Sequence, residues 1–259
     1  MSGAFGPDPW SRLRALTPAR IALGRAGTAQ PTRALLDFSL AHARARDAVH
    51  AVLDVDTAEK DIQVLGAFET RVACSAAPDR TTYLGRPDLG RQLDPESRIL
   101  TVGQSGTCDL VFVVADGLSA EAAQVHAPNL LEAMIPFIER GRWRVAPVVI
   151  ATQARVALGD EIGRIFGARA VAVLIGERPG LSSPDSLGVY LTFDPRPGRA
   201  DAERNCISNI RAEGLSYEDA AFKLAWLTGE AFRLRLTGVA LKDESDVAKL
   251  AGGPFRTLG

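Results

Sequence analysis

The chain has 259 residues, of which 46% are hydrophobic and 24% charged, and its formal net charge is −1. This composition is typical of a globular protein with an apolar core, and the balanced charge excludes the basic footprint of a protein that binds nucleic acid or an anionic membrane. No apolar run approaches the roughly 20 residues that span a bilayer, and residues 1–17 lack the apolar segment of a secretory signal, so the sequence predicts a cytoplasmic protein.

The cysteines and histidines point to neither a disulfide framework nor a metal site. The cysteines are odd in number and form no Cys-x-x-Cys pair, which fits a reducing compartment. The histidines are scattered, so each is predicted to be a structural or surface residue. The residues are Cys74, Cys108 and Cys206, and His42, His50 and His126.

The first 95 residues are predicted to form an N-terminal arm followed by a small helical domain. Residues 1–31 are rich in Gly, Pro and Arg, which indicates an extended arm lying on a partner. Thr32 is a candidate cap for an amphipathic helix over 33–52. A short helix or turn follows at 58–65. The stretch 68–83 is ambiguous, with an extended pass at 71–75.

Residues 96–259 alternate between strand and helix patterns, which predicts the α/β class. Such spacing implies right-handed βαβ units in a largely parallel sheet with helices on both faces. Continuous apolar runs such as Leu110–Ala115 are typical of strands buried on both faces. The predicted strands are 110–115, 144–151, 170–175 and 189–193, and the predicted helices are 120–140, 156–166 and 217–234.

Three predicted strands end in polar or small residues, at 116–119, 152–156 and 176–179. Parallel neighbours bring such ends to one edge of the sheet, where open α/β sheets bind their ligands. Any one of these ends, taken alone, reads as an ordinary strand terminus or helix cap. Their convergence favours a binding site, with the Gly- and Ser-rich loop 176–188 as its most informative part.

Familiar catalytic and nucleotide motifs are missing from the sequence. It has no G-x-G-x-x-G after a strand, no P-loop and no G-x-S-x-G elbow, and no His close to a candidate nucleophile. Asp160 and Glu161 fall in the first turn of a predicted helix, where they complement its dipole. The polar stretch 201–211 suits a tightly hydrogen-bonded loop. Judged by residue type alone, Cys206 in this stretch is predicted to be a buried spacer rather than a ligand contact.

Three blocks of the sequence resemble a known family. The first runs from Thr-Pro-Ala-Arg-Ile-Ala-Leu-Gly-Arg-Ala-Gly at 17–27 to His-Ala-Arg-Ala-Arg-Asp-Ala-Val at 42–49. The second is Ala-Asp-Gly-Leu-Ser-Ala at 115–120, and the third joins the loop 176–188 to Asn-Cys-Ile-Ser-Asn-Ile at 205–210. Together the blocks resemble the small (light) subunit of ethanolamine ammonia-lyase over residues 10–242.

The resemblance implies a subunit of an adenosylcobalamin-dependent lyase that converts ethanolamine to acetaldehyde and ammonia. It implies a helical N-terminal part and a Rossmann-like, cobalamin-binding domain over 96–259. In this family the cofactor lies between the small subunit and a large TIM-barrel subunit that holds the substrate and the catalytic groups. A hetero-oligomer with no catalytic residue on this chain is therefore expected. Packaging in a bacterial microcompartment is left open.

Three residues match family positions that contact cobalamin, namely Val156, Glu177 and Cys206. The sequence lacks Asp-x-His-x-x-Gly, so no residue of this chain is expected to ligate cobalt. Two alternatives stay open at this point. A free-standing Rossmann-type oxidoreductase that binds a nucleotide or flavin is disfavoured by the missing glycine motif. An assembly module without a cofactor is disfavoured by the polar strand ends.

Overall fold

The computed structural model describes residues 10–17, 19–97 and 107–250. None of the described helices is long and apolar enough to cross a membrane. The helices are α1 (Ser11–Arg14), α2 (Thr32–His50), α3 (Val55–Val64), α4 (Arg80–Gly85), α5 (Ala120–Gly141), α6 (Leu158–Ile165), α7 (Tyr217–Leu234) and α8 (Ser245–Leu250). The strands are β1 (Thr70–Cys74), β2 (Leu110–Ala115), β3 (Val148–Thr152), β4 (Ala170–Gly176), β5 (Leu187–Phe193) and β6 (Asn205–Ile210).

The strands form a single six-stranded sheet in the order β1-β3-β2-β4-β5-β6. The first four strands in this order pair in parallel, whereas β5 runs antiparallel to β4 and β6 antiparallel to β5. The predicted α/β class is confirmed. The sheet is mixed, with an antiparallel pair at one side, and the Rossmann-like assignment stays a prediction.

The central strands form because both of their faces are covered. Every residue of β2 and β4 is buried, which explains their unbroken apolar sequences. Helices α5 and α7 pack on one face of the sheet and α6 packs on the other. We call the second of these the α6 face. Its apolar cluster includes Val113, Val173 and Ile162.

The N-terminal part of the chain contributes both helices and an edge strand. Helices α2 and α3 occupy the predicted helical stretches, but Thr32 is the first helical residue and Pro31 takes the cap position without a side-chain bond. The extended pass at 71–75 is strand β1, paired with β3. The sheet therefore draws on residues before 95, and the domain boundary there stays a prediction. Residues 1–9 of the predicted arm lie outside the described residues.

Strand β6 corrects the prediction of a loop at 201–211. Ile207 and Ile210 face the apolar core, whereas Cys206, Ser208 and Asn209 are exposed. A strand at the edge of a sheet needs few apolar residues, so its sequence looks like a polar loop. This strand brings Cys206 to the sheet.

The tail after residue 242 packs on α7 as far as it is described. Lys223 of α7 binds Asp246 at 2.7 Å and Asp243 at 3.4 Å, and Lys249 of α8 forms an ion pair with Asp219. The remainder of the predicted peripheral extension, residues 251–259, lies outside the described residues.

Candidate functional site

The carboxyl ends of β2, β3 and β4 meet at one edge of the sheet, which confirms the predicted convergence. The Asp116 carboxylate, after β2, accepts hydrogen bonds from the backbone N–H groups of Gln153 (2.9 Å) and Ala154 (3.0 Å), after β3. Leu118 N donates to Gly176 O, at the end of β4, over 2.9 Å. The three strand ends are therefore joined directly to one another.

Two glycines allow this close approach. Gly117 has a φ of +54°, and a Cβ there would clash with the carbonyl oxygen of Gly176. A Cβ on Gly176 would clash with the carbonyl oxygen of Ser119. The backbone contact between the ends of β2 and β4 consequently requires glycine at both positions.

Asp116 acts as a buried cross-link at this edge. Burial raises its pKa above the usual value, although the two backbone N–H donors and the guanidinium of Arg80 favour the carboxylate. Arg80 lies 3.5 Å from Asp116 and donates to Gly117 O (2.8 Å) and to Val49 O near the end of α2 (2.7 Å). Both carboxylate oxygens are occupied, so this acid has a structural role.

The loop between β4 and β5 is closed by Glu177. Ser186 Oγ donates to Glu177 Oε2 at 2.5 Å, and Asn209 N donates to the same oxygen at 3.3 Å. The backbone N–H of Glu177 also donates to Ser186 O at 2.9 Å. The half-buried side chain lies against Gly188, where a Cβ would stand 2.9 Å from Oε1. Oε1 accepts no hydrogen bond from the residues that the structure describes.

The far side of the same loop is attached to helix α5, whose His126 also contacts Tyr217 of α7. Ser119 Oγ, which caps α5, donates to Pro184 O at 2.9 Å. His126 Nε2 lies 3.4 Å from Asp185 Oδ2, and its Nδ1 lies 2.8 Å from the Tyr217 hydroxyl. The sequence predicts that His126 is either a structural or a surface residue. The side chain is 3% exposed, so it is a structural residue.

Cys206 is exposed beside Tyr190, so the interpretation of this thiol as a buried spacer is wrong. It lies opposite Tyr190 in the β5–β6 pairing, and its Sγ is 3.2 Å from Ser208 Oγ. Burial raises the pKa of the Tyr190 phenol, and the neighbouring Cys206 and Glu177 raise it further. Tyr190 is therefore a protonated hydrogen-bond donor at neutral pH.

Val156 lies after β3 on the α6 face of the sheet. It is half-buried and packs, like Tyr190, against the apolar cluster of that face. Glu177 and Cys206 both lie near Tyr190, and Tyr190 and Val156 pack against the same apolar cluster. Sequence reasoning missed Tyr190, although a tyrosine in the apolar strand 189–193 was a signal for it.

A cavity of about 360 Å³ opens beside Ala157, the residue that follows Val156. It lies over a buried ion pair in which Arg204 donates to Asp160 at 2.8 and 2.7 Å. Burial raises the pKa of Asp160 above its usual value, although the hydrogen bonds from Arg204 favour the carboxylate. Burial lowers the pKa of Arg204, but its hydrogen bonds to Asp160 leave that pKa above the usual value. Asp160 thus has a tertiary partner besides the helix dipole. The cavity is lined by Arg91, Gln92, Ala157, Asp160, Glu161 and residues 197–201.

Comparison with known proteins identifies close relatives. The family model of the ethanolamine ammonia-lyase light chain matches residues 7–242. An ethanolamine ammonia-lyase small subunit from Xanthomonas campestris pv. campestris is 57% identical over 243 residues, 92% of this chain and 89% of the relative. That of Bradyrhizobium diazoefficiens is 58% identical over 239 residues (92% and 91%), and that of Pseudomonas aeruginosa 52% over 258 residues (98% and 94%).

Proposed function

The chain belongs to the ethanolamine ammonia-lyase light-chain family, and on this basis we propose that it is the cofactor-binding small subunit of an adenosylcobalamin-dependent ethanolamine ammonia-lyase. In this proposal it binds cobalamin with Val156, Glu177 and Cys206, at an interface with a large subunit. The holoenzyme converts ethanolamine to acetaldehyde and ammonia. The main support for the cofactor site is the arrangement of the Glu177 carboxylate. Its Oε2 is held by hydrogen bonds, whereas its Oε1 is open to a ligand.

The residues present fit the chemistry of a corrinoid. The rim of the corrin ring carries amide side chains, which donate hydrogen bonds, and Glu177 Oε1 is an acceptor with no partner among the described residues. Because Ser186 already holds the other oxygen, the Glu177 side chain loses little conformational entropy when it binds a ligand. The Tyr190 phenol, kept protonated, supplies a donor for an amide carbonyl.

Apolar and soft contacts complete the fit. Val156 offers a half-buried aliphatic surface, and the exposed thiol of Cys206 packs readily against a flat ring system. The neighbouring cavity, about 360 Å³, lies at the small end of the range for small-molecule sites. A corrinoid is too large for such a cavity, which supports binding on the open face, covered by a second chain.

The cofactor supplies the radical chemistry when it is bound, and this chain binds and orients it. Three other acidic side chains near this edge are engaged in structural contacts. Asp116 accepts two backbone hydrogen bonds, Asp160 binds Arg204, and Glu161 accepts from Leu93 N at 3.1 Å. This engagement supports a role in cofactor binding, with the acid–base groups of the reaction on the large subunit.

Helix α2 supports the proposal that a large subunit covers part of this chain. Of its nineteen residues only Ala48 is buried, and four large apolar side chains are 43–63% exposed. Residues 10–36 also contain five arginines and no acidic residue, which suits a partner surface with acidic groups around an apolar centre. The four side chains are Leu35, Leu36, Phe38 and Leu40.

The alternative of a Rossmann-type nucleotide- or flavin-dependent oxidoreductase is disfavoured by how α5 begins. In dinucleotide-binding folds the pyrophosphate binds at the N-terminus of the helix after the first strand of the unit. Here the loop 176–188 covers the N-terminus of α5, where Ser119 Oγ binds Pro184 O. Little room is left for a phosphate there.

The deciding experiment is co-expression with the large subunit of the same organism. We expect the purified pair to release ammonia from ethanolamine only when adenosylcobalamin is added, and each subunit alone to be inactive. A matched control is the pair formed with a chain carrying Glu132→Gln, an exposed substitution on α5. Cofactor-dependent activity of the isolated chain would refute the proposal, as would an inactive co-purified pair that contains cobalamin.

A further inference from the structure

Three consecutive residues of the loop between β4 and β5, 184–186, are each tied to a different buried or half-buried group. The carbonyl of the first accepts from Ser119, the carboxylate of the second faces His126, and the hydroxyl of the third donates to Glu177. Two of these contacts are normal hydrogen bonds. The contact through His126 is longer, and no feature of the proposed function explains it.

His126 lies on the second turn of α5, beneath the loop. Its Nδ1 is 2.8 Å from the Tyr217 hydroxyl, and its Nε2 is 3.4 Å from Asp185 Oδ2. Within the described part of the chain Nε2 makes no hydrogen bond. A buried N–H without a partner destabilises the folded state, and the Asp185 carboxylate is able to accept a hydrogen bond from it. Asp185 is 40% exposed, so it is free to move the short remaining distance.

We propose that His126 is a positioning residue of the cofactor site, acting through Asp185. The Tyr217 O–H donates to Nδ1, which fixes the tautomer that carries its proton on Nε2. This N–H faces the Asp185 carboxylate and holds the loop against α5. The inference rests on the proposed function only in assigning the loop, through Glu177, to a cobalamin site.

Its physical consequence is local order. The loop 176–188 contains three glycines, two prolines and three serines, and a segment of this kind loses much conformational entropy when it is fixed. Contacts at 184–186 reduce that entropy before a ligand arrives. The ordered backbone after Glu177 thereby holds this side chain in one orientation.

The test is amide hydrogen exchange of the full chain, measured by mass spectrometry on peptides that cover 177–187. His126→Asn is too short to reach Asp185, whereas the amide nitrogen of His126→Gln reaches about as far as Nε2. We expect exchange of the loop to accelerate about tenfold or more in His126→Asn and to stay near the original rate in His126→Gln, with the strands unaffected.

Asp185→Ala, which has no acceptor, provides a second route that leaves the buried histidine in place. It is expected to accelerate loop exchange as His126→Asn does, and the double variant should exchange no faster than either single one, because both remove the same contact. Unchanged loop exchange in both single variants, or equal acceleration by His126→Gln and His126→Asn, would overturn the inference.

A separate measurement distinguishes this inference from the proposed function. Hydroxocobalamin binding to the two-subunit complex is measured by equilibrium dialysis for His126→Asn and His126→Gln. We expect about a fivefold to tenfold weaker affinity for the first and little change for the second. If loop exchange responds but Glu177→Gln leaves cobalamin affinity unchanged, the assignment of the loop to a cofactor site is wrong, whereas the role of His126 in ordering the loop stands.

Discussion

Ser186 Oγ donates a hydrogen bond of 2.5 Å to Glu177 Oε2, across a loop that their backbones close at 2.9 Å. Short O–H···O⁻ bonds are charge-assisted and are stronger than neutral hydrogen bonds. Ser186 in the same loop and Asn209 N of β6 therefore fix Oε2 of Glu177, which leaves Oε1 available to a ligand.

Glu177→Gln should weaken cobalamin binding to the two-subunit complex by about 1–3 kcal/mol, the value of a lost charge-assisted hydrogen bond. Ser186→Ala should weaken it less, since it loosens the carboxylate without removing it. Equilibrium dialysis with hydroxocobalamin measures both variants, and Glu132→Gln is the exposed control. Equal affinity of the Glu177→Gln complex and the original complex would argue against this contact.

The three cysteines allow a footprint of the proposed interface. Cys206 and Cys74 are exposed, while Cys108 is buried and its pKa is raised by burial and by Asp109. Iodoacetamide should modify the two exposed thiols of the isolated chain and spare Cys108. In the complex with cobalamin, labelling of Cys206 should be suppressed. Continued labelling of Cys206 in the loaded complex would place the cofactor elsewhere.

Deleting residues 1–31 should raise the solubility of the isolated chain. The described part of this arm exposes Trp10, Leu13 and Leu16 to 52%, 46% and 81%, which favours self-association. Sedimentation and turbidity at matched concentrations measure the effect. Val239→Gln, at a side chain 83% exposed outside the arm, is the control for merely removing surface apolar area. A fall in solubility would mean that the arm belongs to the chain's own core.

Asp160→Ala should destabilise the fold by about 3–5 kcal/mol, because it leaves the Arg204 guanidinium buried without its anion. The double variant Asp160→Leu with Arg204→Met should recover much of that loss. Urea unfolding followed by circular dichroism measures the free energy of unfolding. The exposed pair Arg86–Asp88 is the matched control, and Asp88→Ala should have no measurable effect. A small loss from Asp160→Ala would show that water reaches this pair.

Gly176→Ala should destabilise the chain by about 2 kcal/mol or more, since the added methyl group meets the backbone of Ser119. Gly85→Ala is the control, because a Cβ at that position has open space around it and the backbone angle is ordinary. Thermal unfolding should show a large fall in the midpoint for the first variant and almost none for the second. Similar midpoints would mean that the strand ends separate easily.

The central part of the fold follows from the sequence because burial on both faces leaves a simple pattern. Strands β2 and β4 are continuous apolar runs, and helix α5 begins at a serine cap. Strand β3 starts at Val148, later than the predicted residue 144, because Pro147 has no backbone N–H to donate to a neighbouring strand. The first and last residues of a strand therefore depend on single residues such as this proline, which the apolar pattern does not show.

Edge strands and tertiary contacts produce no comparable apolar pattern in the sequence. In β6 the exposed Cys206, Ser208 and Asn209 obscure the strand, since its outer side faces solvent. The contact between His126 and Asp185 joins residues that are far apart in the sequence, and neither residue type nor spacing indicates it. The convergence of the strand ends was predictable from topology, whereas the partners of Glu177 were not.

Arg80 connects two surfaces that the proposed function uses separately. Its guanidinium binds the carbonyl of Val49 near the end of α2 and the carbonyl of Gly117 at the strand ends. A chain that docks on α2 and a ligand that binds at the sheet edge thus act on one side chain. If their binding is coupled through it, thermodynamic reciprocity requires each to change the affinity for the other by the same factor. Assembly and cofactor loading then become a single linked equilibrium.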